Sequence, residues 1–186
     1  MTIGFAMTGS FCTFAAVLPQ LRALCARYTV LPILSESAGG MSTRFGSAAE
    51  IREKLKEITG SAPLCTVAQT EPIGPQKLLD ALVIAPCTGN TLGKLAGGIT
   101  DSAVTMAAKA HLRNERPLLL AVSTNDALSG SAANIGRLLN TRNVYFVPMR
   151  QDDPAQKPRS VAADFERLPA ALEKALAGEQ PQPIFC

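Results

Sequence analysis

The segment Leu82–Thr91, LVIAPCTGNT, joins an uncharged apolar run to a polar loop, and the fold is inferred outward from it. The run is short and partly β-branched, which favours a buried parallel strand, although a helix fragment would show the same local pattern. Pro86 is expected to end the strand. The hydroxyls and the amide that follow lie where the first N–H groups of a new helix lack partners, so the loop either binds an anion or simply caps that helix.

Three other apolar runs are each followed by a short loop rich in hydroxyl groups. They are Ile3–Met7 before Thr8–Ser10, Val30–Leu34 before Ser35–Ser37, and Pro117–Val122 before Ser123–Asp126. Strands that alternate with helices at this spacing predict an α/β fold with a mainly parallel sheet covered on both faces. Because parallel strands deliver their following loops to one edge, the four loops should gather there, where open α/β sheets bind ligands. The pattern favours a nucleotide-type ligand.

The segments between the runs carry helix signals. Ser47–Glu50 has the spacing of a capping box, and its helix is expected to end at Gly60. Asp101–Ser102 is expected to cap a helix that continues to Leu112. The remaining predictions are a helix from Phe14 to Tyr28 containing Pro19, a flexible loop that Gly39–Gly40 opens and that carries Thr43–Gly46, a short strand from Leu64 to Ala68, a helix from Ala127 to Leu139, a last strand from Val144 to Val147, and a closing helix from Val161 to Ala177.

Length and composition bound the class of protein. With 186 residues the chain can build one buried core, and we expect a single domain over residues 1–178 with a tail at 179–186 that packs on a partner or hangs free. No apolar run approaches the roughly 20 residues that span a bilayer. The start lacks the basic segment of a signal peptide, so we expect a cytoplasmic protein without a membrane partner. The net charge of +3 is scattered, which argues against nucleic acid as a partner.

Several chemistries lack the residues that they require. The sequence holds neither the Walker pattern nor G-x-G-x-x-G, so the usual fingerprints for ATP and for dinucleotides are missing. The five cysteines form no C-x-x-C pair, which argues against a zinc site or a disulfide framework, and no metal site is predicted. The single histidine, His111, lies inside a predicted helix, and there is no G-x-S-x-G segment, so a serine hydrolase would have no base. We interpret His111 as a structural or surface residue.

Four residues in predicted loops are candidates for chemistry. Cys87 lies where a helix N-terminus could lower the pKa of its thiol and make it reactive. Arg44, on a loop flanked by glycines, could bind a substrate carboxylate through two hydrogen bonds or form a surface salt bridge. Asp152 and Asp153 are adjacent and are expected to point different ways, so we interpret them as a solvated turn rather than a paired carboxylate site.

Five segments spread over nearly the whole chain form a combined pattern. They are Ile3–Cys12, Thr43–Gly46, Ala85–Asn90, Ser123–Leu128 and Gln151–Pro154. Each alone is a weak signal, but together they resemble the family formed by the B subunits of dipicolinate synthase. That family is part of the wider flavoprotein group that includes homo-oligomeric, flavin-containing cysteine decarboxylases.

The resemblance implies a three-layer, Rossmann-like or flavodoxin-like domain with FMN as its cofactor. It implies oxidation of dihydrodipicolinate, a small dicarboxylic acid, to dipicolinate in the mother-cell cytoplasm during sporulation. It further implies a homo-oligomer and, as a separate partner, the A subunit of dipicolinate synthase, which binds NADP. The positions where the wider group holds flavin correspond to Gly9, Ser10, Phe11, Ser35, Pro86, Thr88, Asn90, Thr91, Ser123, Thr124 and Asn125. Arg44 is the candidate for substrate binding, and no catalytic residue is assigned.

The sequence departs from the decarboxylases of this group in two places. Those enzymes use a histidine near the flavin, and His111 does not occupy that position. Ser123–Asp126 stands where they carry a Pro-x-Met-Asn-x-x-Met-Trp segment. Independent cysteine decarboxylation is therefore disfavoured. The alternatives are an FMN-dependent enzyme subunit and a non-catalytic scaffold or regulator of the A subunit with a vestigial flavin pocket.

Overall fold

Strands and helices alternate along the chain in the computed structural model, which describes all residues from 1 to 186. The strands are β1 (Thr2–Met7), β2 (Thr29–Leu34), β3 (Ala81–Cys87), β4 (Leu118–Thr124), β5 (Val144–Phe146), β6 (Met149–Arg150) and β7 (Val161–Ala163). The helices are α1 (Phe14–Cys25), α2 (Glu36–Gly40), α3 (Ala48–Thr59), α4 (Val67–Thr70), α5 (Gly89–Gly97), α6 (Ala103–Leu112), α7 (Ala132–Leu139) and α8 (Leu168–Leu176). None of them is long and apolar enough to cross a membrane.

The sheet is built on the parallel strand order β2-β1-β3-β4 and continues differently along the two halves of β4. Its first half pairs in parallel with β5. Its second half pairs antiparallel with β7 through Ser123 and Thr124, and β6 pairs with β7 on the outside. Since the chain leaves β1 toward β2 on one side and β3 on the other, the topological switch point lies between β1 and β3. The predicted α/β fold with a mainly parallel sheet is confirmed.

Alternating residues of each strand enter two separate cores, one on each face of the sheet. Phe5 and Val83 belong to a buried cluster shared with α1, α3 and α8. Their neighbours Ala6 and Ile84 belong to a second cluster shared with α5, α6 and α7. The central strands are therefore buried on both faces, which is why they appear in the sequence as continuous apolar runs. The result is the three-layer arrangement that the resemblance implied.

The capping signals in the sequence are confirmed. Ser47 Oγ accepts a hydrogen bond from Glu50 N at 3.2 Å, and Glu50 Oε2 accepts one from Ser47 N at 2.7 Å. Gly60 ends α3 in the left-handed conformation, with φ of 72°, which glycine adopts without steric cost. Ser102 caps α6 in the same way. These helix ends were predictable because capping depends on residues that are close in sequence.

Strand β3 is longer than the sequence pattern predicted. Pro86 does not end it, because the strand continues to Cys87 and its pairing with β4 shifts register between Ile84 and Cys87. An irregularity of this kind accommodates a residue that has no N–H group to donate. Cys87 consequently lies inside the sheet, and the polar loop begins at Thr88.

The largest departure concerns the last third of the chain. Val161–Ala163 forms β7 instead of opening the predicted closing helix, and α8 begins only at Leu168. The predicted strand at Val144–Val147 is therefore not the last one. A short apolar run does not by itself distinguish a strand from a buried helix. Here Val161–Ala163 forms a strand because the second half of β4 offers a free edge, where Ser123 and Thr124 pair with the backbone of β7.

Three smaller predictions differ from the structure in their bounds or element type. The predicted loop that carries Thr43–Gly46 is present, but it begins at Met41, because Gly39–Gly40 ends the short helix α2. Leu64 makes an isolated bridge, and α4 follows, so no strand extends to Ala68. Helix α7 begins at Ala132, not Ala127, because the preceding residues form a turn.

The C-terminal segment packs against its own chain, whereas the sequence analysis predicted a tail that packs on a partner or hangs free. Gln180 brackets the backbone of Phe146: the Phe146 N–H donates to Gln180 Oε1 at 2.9 Å, and Gln180 Nε2 donates to the Phe146 carbonyl at 2.8 Å. Farther on, Met149 N–H donates to the Ile184 carbonyl at 2.9 Å, and Cys186 N–H donates to the Met149 carbonyl at 3.0 Å. These bonds hold the tail along β6.

Candidate functional site

A polar cavity opens at the carboxyl ends of β1, β3 and β4, beside the switch point of the sheet. Its volume is about 550 Å3, which lies within the range of about 300–1,000 Å3 for small-molecule sites. Arg44 and Phe45, from the loop between α2 and α3, line it as well. The remaining wall comes from the connection between β6 and β7 and from β7 itself. The cavity therefore joins three parallel strands to the antiparallel addition at the edge of the sheet.

Hydrogen bonds between hydroxyl groups connect the strand ends around the cavity. Thr8 Oγ1 donates to the Pro86 carbonyl at 2.7 Å and accepts from Thr88 N at 3.1 Å. This clamp fixes the end of β1 to the end of β3. Ser10 Oγ and Ser123 Oγ share a hydrogen bond of 2.8 Å, which links the loop after β1 to the end of β4. The three strand ends thus have a fixed spacing without any charged group.

Asp126 determines how one hydroxyl faces the cavity. Thr124 Oγ1 donates to Asp126 Oδ1 at 2.5 Å, and Ser131 Oγ donates to the same oxygen at 2.9 Å. The hydrogen bond from Thr124, and after it the one from Ser131, hold the pKa of this carboxyl below its ordinary range despite some burial. Because its proton is engaged, Thr124 offers the cavity a hydrogen-bond acceptor.

Gly89, the first residue of α5, makes room for this cluster. A Cβ atom at Gly89 would lie 2.7 Å from Thr124 Oγ1 and 2.8 Å from both Asp126 Oδ1 and Ser131 Oγ. Real Cβ atoms essentially never approach other atoms that closely. Any larger residue would therefore displace side chains that are held by one another, so glycine is required here for space.

Charged side chains lie at two sides of the cavity. The guanidinium of Arg44 stacks on the ring of Phe45, and Arg44 Cζ lies 4.8 Å from the ring centroid. On the other side, Lys157 Nζ lies 3.5 Å from Asp152 Oδ2. Burial alone would raise the pKa of Asp152, but the hydrogen bond from Ser160 and the charge of Lys157 lower it below its ordinary range. Asp152 is thus held as a carboxylate.

The structure gathers eight of the residues singled out in the sequence around this cavity. They are Gly9, Ser10, Phe11, Arg44, Thr88, Ser123, Thr124 and Asn125. The other four lie outside its lining. Ser35 caps α2 by accepting from Ala38 N at 3.2 Å, and Pro86 lies within β3. Thr91 is buried behind Thr88, with 3.1 Å between the hydroxyl oxygens, and Asn90 is exposed on α5.

Sequence reasoning missed the wall contributed by residues 152–162. Asp152 was interpreted as part of a solvated turn, yet it lines the cavity together with Lys157, Ser160, Val161 and Ala162. The signal that could have found them is the fifth segment of the resemblance, Gln151–Pro154, which lies at the start of this wall. The helix predicted from Val161 onward would have placed this segment away from the edge of the sheet, whereas Val161–Ala163 forms β7.

Two candidate chemical groups prove to be structural. Cys87 is fully buried in β3, and burial raises the pKa of its thiol, the opposite of the activation that a helix N-terminus would give. His111 is buried in α6, where its Nε2 lies 3.0 Å from the Pro117 carbonyl. The interpretation of His111 as structural is confirmed. Neither group lines the cavity.

Comparison with known proteins places this geometry in a family. A family model described as Flavoprotein matches residues 1–164, which is most of the chain. The chain belongs to this flavoprotein family. Within it, the B subunit of dipicolinate synthase from Bacillus subtilis (strain 168) is 46% identical over 184 residues, covering 98% of this chain and 92% of that protein. This confirms the resemblance seen in the sequence.

Solved structures of flavoproteins extend the comparison. A crystal structure of the dipicolinate synthase B subunit from Bacillus halodurans C has a TM-score of 0.91 at 44% identity and covers 100% of this chain and 95% of that chain. DmrB from Burkholderia xenovorans, solved in complex with FMN and described as a cubic protein cage for redox transfer, has a TM-score of 0.69 at 18% identity and covers 95% of each chain. The second likeness shows a shared fold alone.

Proposed function

We propose that this chain is the B subunit of a dipicolinate synthase and takes part in oxidising dihydrodipicolinate to dipicolinate as its FMN-binding subunit. The proposal extends to a role in sporulation in the mother-cell cytoplasm, with an A subunit that binds NADP. It is supported by the near full-length similarity to B subunits of dipicolinate synthase. The observation that carries it is the polar cavity at the switch point of a flavoprotein-family sheet.

The donor set of the cavity fits FMN. Ser10, Thr88, Ser123 and Asn125 supply neutral hydroxyls and an amide close to the start of α5, which suits a phosphate group and the hydroxyls of a ribityl chain. Thr124 would accept a hydrogen bond from a ribityl hydroxyl, because Asp126 engages its own proton. When bound, FMN would supply two-electron oxidation chemistry. Apolar groups for its ring come from residues such as Phe11, Val161 and Ala162.

Arg44 would bind a carboxylate of the substrate. Its guanidinium carries no salt bridge in the structure, so its charge is available to a ligand. Stacking on Phe45 orients the guanidinium plane, which favours a bidentate contact with a carboxylate. We further propose that the chain forms a homo-oligomer, since flavoproteins of this fold include one described as a dodecamer and one described as a cage.

An alternative function is that of a non-catalytic scaffold or regulator of the A subunit with a vestigial flavin pocket. The observation that favours it is the lack of a histidine in the cavity lining: His111 is buried elsewhere, and Cys87 is in the sheet. With no histidine at the cavity, the chain would have to rely on another group such as Asp152, or on its partner, for any proton removal. The two functions therefore differ in whether FMN binds and in whether turnover depends on the cavity.

Titration of the purified chain with FMN, followed by quenching of flavin fluorescence, tests the proposal. We expect saturable binding by the wild type and roughly fivefold weaker binding by Ser123→Ala, which loses one neutral hydrogen bond worth about 1 kcal/mol. Thr141→Ala is the matched control, because the Thr141 hydroxyl donates to Arg137 O at the far end of α7. Absence of binding, both alone and with the partner that binds NADP, would refute the FMN proposal and favour the scaffold.

A second measurement separates chemistry from assembly. The A subunit would be combined with the wild type, Ser123→Ala or Thr141→Ala, and both complex formation and dihydrodipicolinate oxidation would be followed at limiting FMN. An FMN-dependent role predicts slower turnover for Ser123→Ala alone, with complex formation intact. Equal turnover by all three complexes would support the scaffold.

A further inference from the structure

We propose that Lys157 is a second carboxylate-binding residue of the cavity, and that Lys157 and Arg44 together select a dicarboxylate over a monocarboxylate. This inference rests on the proposed function, because it names the residues that would recognise both acidic groups of that substrate. It rests on two observations: the positions of Arg44 and Lys157 in the fold, and the missing or weak ion pairs of their side chains.

Arg44 and Lys157 reach the cavity from segments that lie toward opposite edges of the sheet. Arg44 follows β2 and α2, whereas Lys157 belongs to the connection that leads into β7. In the sheet, β1, β3 and β4 lie between β2 and β7, which at about 4.8 Å per strand places the two strands roughly 19 Å apart. Both side chains nevertheless line the same cavity. A ligand between them would meet one positive charge on each side.

Both charges are available to such a ligand. Arg44 has no salt bridge, as described above, and the partner of Lys157 is weak. Its Nζ lies 3.5 Å from Asp152 Oδ2, which is longer than an ordinary hydrogen bond of about 3.0 Å, and 53% of the Lys157 side chain is exposed. Exposed ion pairs of this kind contribute little to stability. A substrate carboxylate would therefore replace Asp152 as the partner of Lys157 at little cost.

The backbone that carries Lys157 is held in place even though its ammonium is not. The Lys157 N–H donates to the Asp153 carbonyl at 2.7 Å, and the Ser160 N–H donates to the Lys157 carbonyl at 3.0 Å. Asp153 Oδ1 also accepts from Gln156 N at 3.1 Å, which closes the turn. The side chain thus starts from a fixed point at the rim of the cavity and retains the freedom of its long stem. That combination suits a residue that contacts substrate only when substrate is present.

A dicarboxylate explains the arrangement better than a single anion does. The neutral hydroxyls of Ser10, Thr88 and Ser123 already provide donors for a phosphate group. Arg44 and Lys157 belong to separate loops, one after α2 and one before β7, and both line the cavity, so a ring that carries two acidic groups can engage one cation with each group. Losing Lys157 should therefore weaken binding of the dicarboxylate specifically.

The test compares two pyridine acids on the FMN-loaded chain. Dipicolinate carries two carboxylates and picolinate carries one, and binding of each would be measured by calorimetry and by the change in the flavin absorption spectrum, in buffer freed of the divalent cations that dipicolinate chelates. For Lys157→Met, which keeps the stem and removes the charge, we expect roughly tenfold weaker dipicolinate binding. Picolinate binding should change less than about twofold. Lys54→Met, on the exposed face of α3, is the control and should change neither.

The outcomes separate this inference from the proposed function. If the wild type does not bind FMN, the proposed function fails, and the role of Lys157 that rests on it fails as well. If the wild type binds FMN and dipicolinate but Lys157→Met binds dipicolinate equally well, or loses both acids to the same degree, the role of Lys157 is refuted and the FMN proposal stands. Lys157→Glu provides a second variant, for which a larger loss of dipicolinate than of picolinate is expected.

Discussion

Both ends of the central strands carry polar side chains, but the two sets have different partners. At the amino ends, Arg116 donates to the Leu79 carbonyl and pairs with Asp80, which in turn accepts from Thr2 N at 2.8 Å. His111 pairs with the Pro117 carbonyl. At the carboxyl ends, the hydroxyls of Ser10, Thr88 and Ser123 line a cavity. The first set is used by the protein's own backbone, and the second faces a space that a ligand can fill.

This difference shows that the hydrogen-bond partner of a polar side chain, more than its residue type, distinguishes a structural side chain from one that is available to a ligand. Both ends hold side chains that sequence analysis would regard as candidates for chemistry. The amino ends hold charged residues and the only histidine, yet the main cavities of the molecule are lined by other residues. Changes at the carboxyl ends should therefore alter ligand binding, and changes at the amino ends should alter stability alone.

The largest expected effect comes from Gly89→Ala at the carboxyl ends. The added Cβ would displace the Thr124, Asp126 and Ser131 side chains, so we expect a loss of stability near the upper end of the roughly 1–3 kcal/mol typical of overpacking. FMN affinity should fall by roughly 100-fold because the Thr124 oxygen moves. Gly93→Ala in the same helix is the control, since its Cβ would lie 3.6 Å from Asn134 Nδ2. FMN titration and thermal melting would show both effects, and equal behaviour of the two variants would contradict the role of the cluster.

A smaller effect is expected at the amino ends, from His111→Leu. His111 Nδ1 is buried without a partner, and burial lowers the His111 pKa from 6.5 to about 4. Above pH 6.5 both the folded and unfolded states hold the neutral imidazole. As the pH falls toward 4, the unfolded state takes up the proton first, so this residue lowers the free energy of unfolding, by roughly 2 kcal/mol at pH 5.

The His111→Leu chain should lack this pH dependence between pH 6.5 and 4. It should be close to the wild type in stability at pH 7.5, because the Pro117 carbonyl still accepts from Leu82 N at 3.0 Å. Urea unfolding at pH 7.5 and pH 5 measures both quantities. A wild type whose stability does not fall over this range more than that of the variant would show that His111 is not buried in its neutral form.

The smallest effect is expected from Arg116→Met, which sharpens the comparison between the two ends. It removes a hydrogen bond to the Leu79 carbonyl and a half-exposed ion pair with Asp80 at 3.3 Å. We expect about 1 kcal/mol less stability, measured by urea unfolding, and unchanged FMN affinity. Weaker FMN binding by this variant would mean that the two ends are coupled through the sheet.

Much of the parallel part of the fold follows from the sequence because its signals are local. The capping residues Ser47 and Ser102 set helix starts, and Gly60 sets a helix end, all within one turn of chain. The four apolar runs identify the strands β1 to β4, and parallel pairing then brings Ser10, Thr88 and Ser123 to one edge. The neutral half of the candidate site was therefore predictable without knowing any contact between strands.

Arg44 was predicted, but the wall that carries Asp152 and Lys157 did not follow from local patterns, because it depends on pairing between distant segments. Val161–Ala163 is apolar and brief, and only the unpaired edge of β4 makes it a strand. That pairing brings Lys157 and Asp152 to the cavity from a stretch that composition describes as a polar connection. The prediction that Pro86 ends its strand was wrong for a related reason. The register shift that accommodates Pro86 arises from the pairing of β3 with β4.

By itself, the sequence determined the α/β class, the family to which the chain belongs, and which loops meet at one edge of the sheet. These depend on periodicity, capping and motif identity, which are written within short stretches of chain. Only the tertiary structure decided which polar groups remain available to a ligand. Hydrogen bonds to the protein's own groups occupy Asp80, Arg116 and His111 Nε2 at one end of the sheet, whereas at the other end a hydrogen bond between distant segments holds Ser10 and Ser123 beside an open cavity.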